Sequence, residues 1–125
     1  MSHPIQPKMN TVFVHVTDLS RSVRWYSQLL DRSVKDEDVR SPVYTFSLSQ
    51  HTSLTLDAGP SDTEPKTVEP LPYPLFNIYT RDVKRAYSFA REKGLRIAAP
   101  VTEFEDLSFF NLYDPDRNII MICNG

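Results

Sequence analysis

Few side chains in this 125-residue sequence could do chemistry. His15 stands in TVFVHV (11–16), two positions beyond Phe13. An imidazole titrates near neutral pH, so it can act as a general base or contact a ligand. It can equally be a packed, hydrogen-bonded ring. Asn77 and Tyr79 interrupt LFNIYT (75–80), which would otherwise be wholly apolar. Polar groups on an apolar concave surface orient ligands, or they bond to a facing module or a second copy. Cys123 is the one thiol. A nucleophilic cysteine needs a basic neighbour, and none adjoins it in sequence, so it reads as structural. Asp57, Glu103, Glu105 and Asp106 flank predicted strand ends, either favouring a cationic ligand or simply solvated. His3 and His51 fall in the lead-in and a turn, both read as exposed. With glycine only at 59, 94 and 125, no glycine-rich P-loop or dinucleotide-binding loop can form. A serine nucleophile elbow and a Cys-x-x-Cys pair are also absent.

The elements that would position these residues follow from periodicity. TVFVHV is β-branched and aromatic, a strand by composition. Its alternation puts Val12, Val14 and Val16 on one face and Thr11, Phe13 and His15 on the other. Asp18 then caps a helix whose Leu19, Val23, Tyr26 and Leu30 form one apolar stripe. Residues 41–59 predict two strands around a polar turn at Gln50-His51-Thr52. The stretch 58–74 holds five of the ten prolines and predicts an extended linker or exposed loop. The pattern then restarts. LFNIYT is a strand. Asp82 caps a helix with Val83, Ala86, Tyr87 and Ala90 inward and Gly94 as its stop. LRIAAPV is a short strand that Pro100 confines to an edge or bend, and residues 107–123 form a hairpin. Asp18 and Asp82 stand 64 positions apart, which marks an internal repeat. The expected architecture is α+β: two tandem β-α-β-β-β modules, at about 10–57 and 75–124, in one domain.

Composition narrows the partners. The formal net charge of −2 and the scattered basic residues argue against nucleic acid and membrane surfaces. No apolar run reaches the roughly 20 residues that span a bilayer. The N-terminus lacks a secretory core, and a single cysteine fits a reducing cytoplasm.

The order of elements, with VTDLSRSVRWYSQLL and YDPDRNIIMI, resembles the vicinal oxygen chelate superfamily of glyoxalases, bleomycin-resistance proteins and extradiol dioxygenases. The resemblance rests on Asp18-Leu19, Ser22, Trp25-Tyr26 and the turn Asp114-Pro115-Asp116-Arg117-Asn118, where Arg117 replaces the usual glycine. It spans residues 11–123. It implies curved sheets that form a cup, and a homodimer. The cup would be lined by Thr11, Phe13, His15, Leu75, Asn77, Tyr79, Ile119, Met121 and Cys123, with Phe76, Ile78, Ile120 and Ile122 in the core.

The resemblance also implies four metal-ligand positions, on the first and last strands of each module. They fall on Thr11, Leu75, Met121 and either Thr55 or, if the two hairpin turns are equal in length, Asp57. Leu75 offers no donor, and a thioether such as Met121 is a poor ligand for hard divalent ions. The expectation is therefore no metal and no cofactor, with Met121 an adaptable apolar wall. The leading function is a small-molecule binder. The alternatives are a lyase, isomerase or dioxygenase of the same superfamily, either metal-dependent through an atypical set such as His15, Asp57 and water or using His15, the best catalytic candidate, without metal, and a non-catalytic interaction module.

Overall fold

The computed structural model describes residues 3–60, 64 and 66–125. The chain divides into two compact units, with the boundary between Thr67 and Val68. That boundary lies inside the proline-rich stretch.

The first unit contains β1 (Thr11–His15), α1 (Leu19–Leu30), a single 3-10 turn (Asp36–Asp38), β2 (Val43–Ser47) and β3 (Ser53–Asp57). The strands run in the order β1-β3-β2, with β1 parallel and β2 antiparallel to β3. The Asp18 carboxylate accepts from the Arg21 backbone N–H at 3.1 Å, satisfying one of the donors that a helix start leaves open. Leu19, Ser22, Val23 and Tyr26 form the buried stripe of α1. The helix ends at Asp31, whose φ of 55° turns the chain back while its N–H bonds to the Ser27 carbonyl. Register places Val12 beside Leu54 and Phe46, and Val14 beside Leu56 and Tyr44. This is the core face: Val14, Val16, Phe46, Leu54 and Leu56 are all buried.

The second unit contains β4 (Pro74–Tyr79), α2 (Val83–Glu92), β5 (Ile97–Glu103), β6 (Ser108–Tyr113) and β7 (Ile119–Cys123), in the order β4-β7-β6-β5. Asp82 repeats the cap, accepting from the Arg85 N–H at 3.1 Å. Gly94 follows the helix with φ +71°, a left-handed value that glycine takes without steric cost. Val83, Ala90, Phe110, Leu112, Ile120 and Ile122 build the core, and Tyr87 meets Phe110 edge-on at 5.2 Å. Pro100 sits on the edge strand β5, where the pairing with β6 shifts between Ala99 and Thr102.

The repeat is not perfect. The second unit has four strands and the first has three. At the offset of the two helices, β5 corresponds to residues 33–39, SVKDEDV. Three successive acids there, Asp36, Glu37 and Asp38, are poor strand formers and repel one another. They form the 3-10 turn instead. No helix among the described residues is long and apolar enough to cross a membrane.

Leu56→Ala should lower stability by about 2 to 5 kcal/mol, because the residue is fully buried and nothing lies ready to fill the space. Asp82→Ala should cost about 1 kcal/mol through the lost cap. Urea denaturation followed by circular dichroism measures both.

Candidate functional site

Each sheet carries one face that its own helix does not cover. In the first unit that face is read row by row from the register. Thr11, Ser53 and Ser47 form one row; Phe13, Thr55 and Thr45 the next; His15, Asp57 and Val43 the third. Period-2 alternation therefore brings together five of the predicted site residues: Thr11, Phe13, His15, Thr55 and Asp57.

The middle of this face is a ladder of hydroxyls. Thr55 Oγ1 lies 2.7 Å from Thr11 Oγ1 and 2.9 Å from Thr45 Oγ1. Thr55 is buried, and a hydroxyl has one hydrogen and two lone pairs, so these two bonds use most of what it offers. Phe13 stands beside Thr55 and is 58% exposed.

The lower row is organised by Lys66, which arrives from the proline-rich stretch. Its Nζ lies 2.7 Å from His15 Nδ1, 3.0 Å from the Asp57 carbonyl and 3.5 Å from Asp57 Oδ1. An ammonium has three hydrogens and no acceptor, so it donates to Nδ1. The imidazole then carries its hydrogen on Nε2. Its stem passes over Gly59, where an added Cβ would meet Lys66 carbons at 3.8 and 3.9 Å. Gly59 has φ +78° and donates its N–H to Asp57 Oδ1 at 2.9 Å. That bond, more than any other influence, holds the Asp57 carboxyl below its ordinary value near 3.8. Burial opposes the shift, while the charge and hydrogen bond of Lys66 add to it.

In the second unit the corresponding rows are Asn77, Met121 and Asn111, then Tyr79, Cys123 and Phe109. Leu75 is the extra residue of a bulge between Pro74 and Phe76. It is exposed, as are Asn77 and Tyr79, the latter at 70%. Ile119 and Met121 are half-buried. Ile119 joins Tyr113, Arg117 and Pro70–Pro72 around a small cavity of about 170 Å³. Cys123 is buried, with its thiol 3.4 Å from the Gly125 carbonyl. Glu103, Glu105 and Asp106 are exposed, and Glu103 pairs with the exposed Lys84, at 3.3 Å. His3 and His51 are exposed as well.

The register decides between Thr55 and Asp57. Phe13 pairs with Thr55 in the first unit, and Asn77 with Met121 in the second. Since Phe13 and Asn77 are 64 apart, Thr55 is the counterpart of Met121, and Asp57 that of Cys123. The hairpin turns, 48–52 and 114–118, are equal in length, yet this does not bring Asp57 into the position. Val43 and Phe109 already stand 66 apart as pairing equivalents. The two-residue difference therefore lies upstream, where the first unit has no strand. The register thus makes Thr55, and not Asp57, the first unit's counterpart of Met121. Among the described residues no group of three or more His, Cys, Asp or Glu is placed to hold a metal.

Sequence reading missed Thr45 and Lys66. Alternation along β2 could have found Thr45 once the register was known. Lys66 has no sequence signal, because only the folded path of the loop brings it to His15.

Two helix-backed mixed sheets in tandem define an α+β fold of repeated modules. Solved structures share it. A glyoxalase/dioxygenase from Nostoc punctiforme aligns with TM-score 0.68 and 20% identity over 99% of this chain and 97% of that one. Lactoylglutathione lyase from Agrobacterium tumefaciens aligns at 0.70 and 13%, over 98% and 96%. A glyoxalase/bleomycin resistance protein from Catenulispora acidiphila DSM 44928 aligns at 0.65 and 17%, over 94% and 99%. No curated protein matches the sequence significantly. The sequence model of one family matches residues 8–122. The chain belongs to the Glyoxalase/Bleomycin resistance protein/Dioxygenase superfamily.

The lowered carboxyl of Asp57 carries a pH consequence. The fold favours the carboxylate, so its contribution is present above about pH 4 and fades as pH falls through the lowered value. The Asp57 side chain is 28% exposed, so solvent screens the pair and the effect stays below about 1 kcal/mol. Asp57→Asn should be slightly less stable than the parent at pH 7, with the difference shrinking as pH falls below about 4, measured by urea midpoints across pH.

Proposed function

We propose that the protein binds a small, partly apolar organic molecule as a homodimer, and does so without a divalent metal. The observation that carries this reading is the bond between Thr11 and Thr55 at 2.7 Å. Two of the four positions where the family's fold implies metal ligands hold neutral hydroxyls already satisfied by each other. The other two, Leu75 and Met121, hold an alkyl group and a soft thioether, which do not suit hard divalent ions. Asp57, the nearest carboxylate in the first unit, is engaged by Gly59 and Lys66. The donor set does not fit the metal, and no step of the chemistry runs through one.

What these residues can do is recognise. Phe13 supplies an exposed aromatic plate, Thr11 and Thr45 supply hydroxyls, and His15 acts as a donor through Nε2 rather than as a base. Lys66 fixes that tautomer. In the second unit, Leu75, Tyr79 and Met121 supply apolar area, and Asn77 an amide. Large apolar groups exposed on sheet faces, such as Phe13 and Tyr79, are the kind of surface that a ligand or a second copy covers.

A second reading is favoured by the 2.7 Å contact of Lys66 with His15. Here the protein is a metal-free isomerase or lyase in which His15 gives its Nε2 proton to substrate while the Lys66 ammonium passes one to Nδ1, leaving the imidazole neutral.

Native mass spectrometry of freshly purified protein tests the binding reading. The expected spectrum shows a dimer, no metal adduct and the added mass of a small organic molecule. Stoichiometric metal retained through dialysis would overturn it. His15→Ala should weaken binding of the copurified molecule by about tenfold, the worth of one good hydrogen bond. Turnover that vanishes in this variant while binding persists would select the second reading.

A further inference from the structure

A larger cavity than any on the sheet faces described above lies between α1 and the irregular segment that follows it. It measures about 410 Å³, within the span of small-molecule sites. Its walls are Ser20, Val23, Arg24 and Ser27 from one side of α1, and residues 32–36 with Val39 from the returning chain. The helical residues recur at three- and four-residue intervals, so they share one face. The opposite wall exists because residues 33–39 do not join the sheet. The left-handed Asp31 folds this segment back along the helix, and the Arg32 N–H bonds to the Ser27 carbonyl at 2.9 Å.

The lining has a definite chemical character. Arg24, Arg32 and Lys35 bring three cations against one carboxylate, Asp36. Neither the Arg24 nor the Lys35 side chain forms an ion pair or hydrogen bond among the described residues. Arg32 is held in place by one bond, from Nη2 to the Ser47 carbonyl at 2.9 Å, which leaves most of its five donors unspent. Ser20, Ser27 and Ser33 add hydroxyls. The Ser27 hydroxyl is hidden from solvent and has no partner among the described residues, an unmet bond in a wall of this cavity. Val23, Val34 and Val39 provide an apolar floor.

We propose that this cavity is a binding site for a small organic phosphomonoester, separate from the open face that carries His15. Guanidinium and ammonium groups, with serine hydroxyls beside them, match a dianion with three acceptor oxygens. The valines take the organic part, which gives such an ester an advantage over the bare ion.

The test uses two probes, phenyl phosphate and inorganic phosphate, titrated into the full-length protein and followed by calorimetry and backbone amide NMR. Phenyl phosphate should bind saturably and more tightly than inorganic phosphate, with shifts concentrated in residues 20–39. In Arg24→Gln/Lys35→Gln, affinity should fall by tenfold or more, since about 1.4 kcal/mol corresponds to tenfold and a charged hydrogen bond contributes at least that much. Asp36→Asn should bind more tightly than the parent. All three residues are exposed, so the variants keep the fold, which the amide spectrum verifies. Failure of phenyl phosphate to saturate at millimolar concentration, shifts centred elsewhere, or an unchanged affinity in the double variant would each overturn the proposal.

Discussion

Each unit depends on a parallel pairing between its first and last strands. Phe13 beside Thr55 and Asn77 beside Met121 are the two central matches. Parallel strands cannot be joined by a tight turn, so a helix must cross between them. That helix covers one face and leaves the other open. Because strand side chains alternate, this single register also fixes which residues reach the open face. The valines of β1 go to the core, and Thr11, Phe13 and His15 go outward. A slip of one residue would exchange the two sets.

The open face of the first unit is a surface of satisfied polar groups rather than of poised reactive ones. Thr55 ties β1 and β2 together through two hydroxyl bonds. Lys66 spends its three hydrogens on His15 and Asp57. Such saturation holds side chains in fixed orientations at little cost, which suits selective recognition. It does not supply an activated nucleophile or an empty set of ligands.

Much of this was legible in the sequence, and the parts that were not have physical reasons. Asp18 and Asp82 announced both helices because a helix start needs an acceptor at one defined place. Pro100 announced an edge because it cannot donate to a ladder. The α+β fold and the family followed from the order of such signals. The missing strand was written in Asp36-Glu37-Asp38, but the repeat argued for a strand there, and the like charges prevailed. The choice of Thr55 over Asp57 was hidden because the two-residue difference lies upstream of the hairpin, where no motif marks it. Lys66 was hidden for a different reason: its role depends on the path of a loop, which local pattern does not encode. Arg117 stands in the turn where the resemblance led one to expect glycine. It adopts φ +68° itself, while the Asp114 carboxylate gathers the N–H groups of Asp116 and Asn118 at 2.9 Å. The turn is kept by its aspartate even without its glycine.

The three-stranded sheet of the first unit leaves β2 as an edge, with backbone groups that a fourth strand would otherwise engage. Unprotected edges of this kind invite other chains to add on and grow into aggregates. The Arg32 guanidinium closes one such carbonyl, that of Ser47, with a side chain in place of a strand. An arginine thus guards against sticking where the repeat fell one strand short.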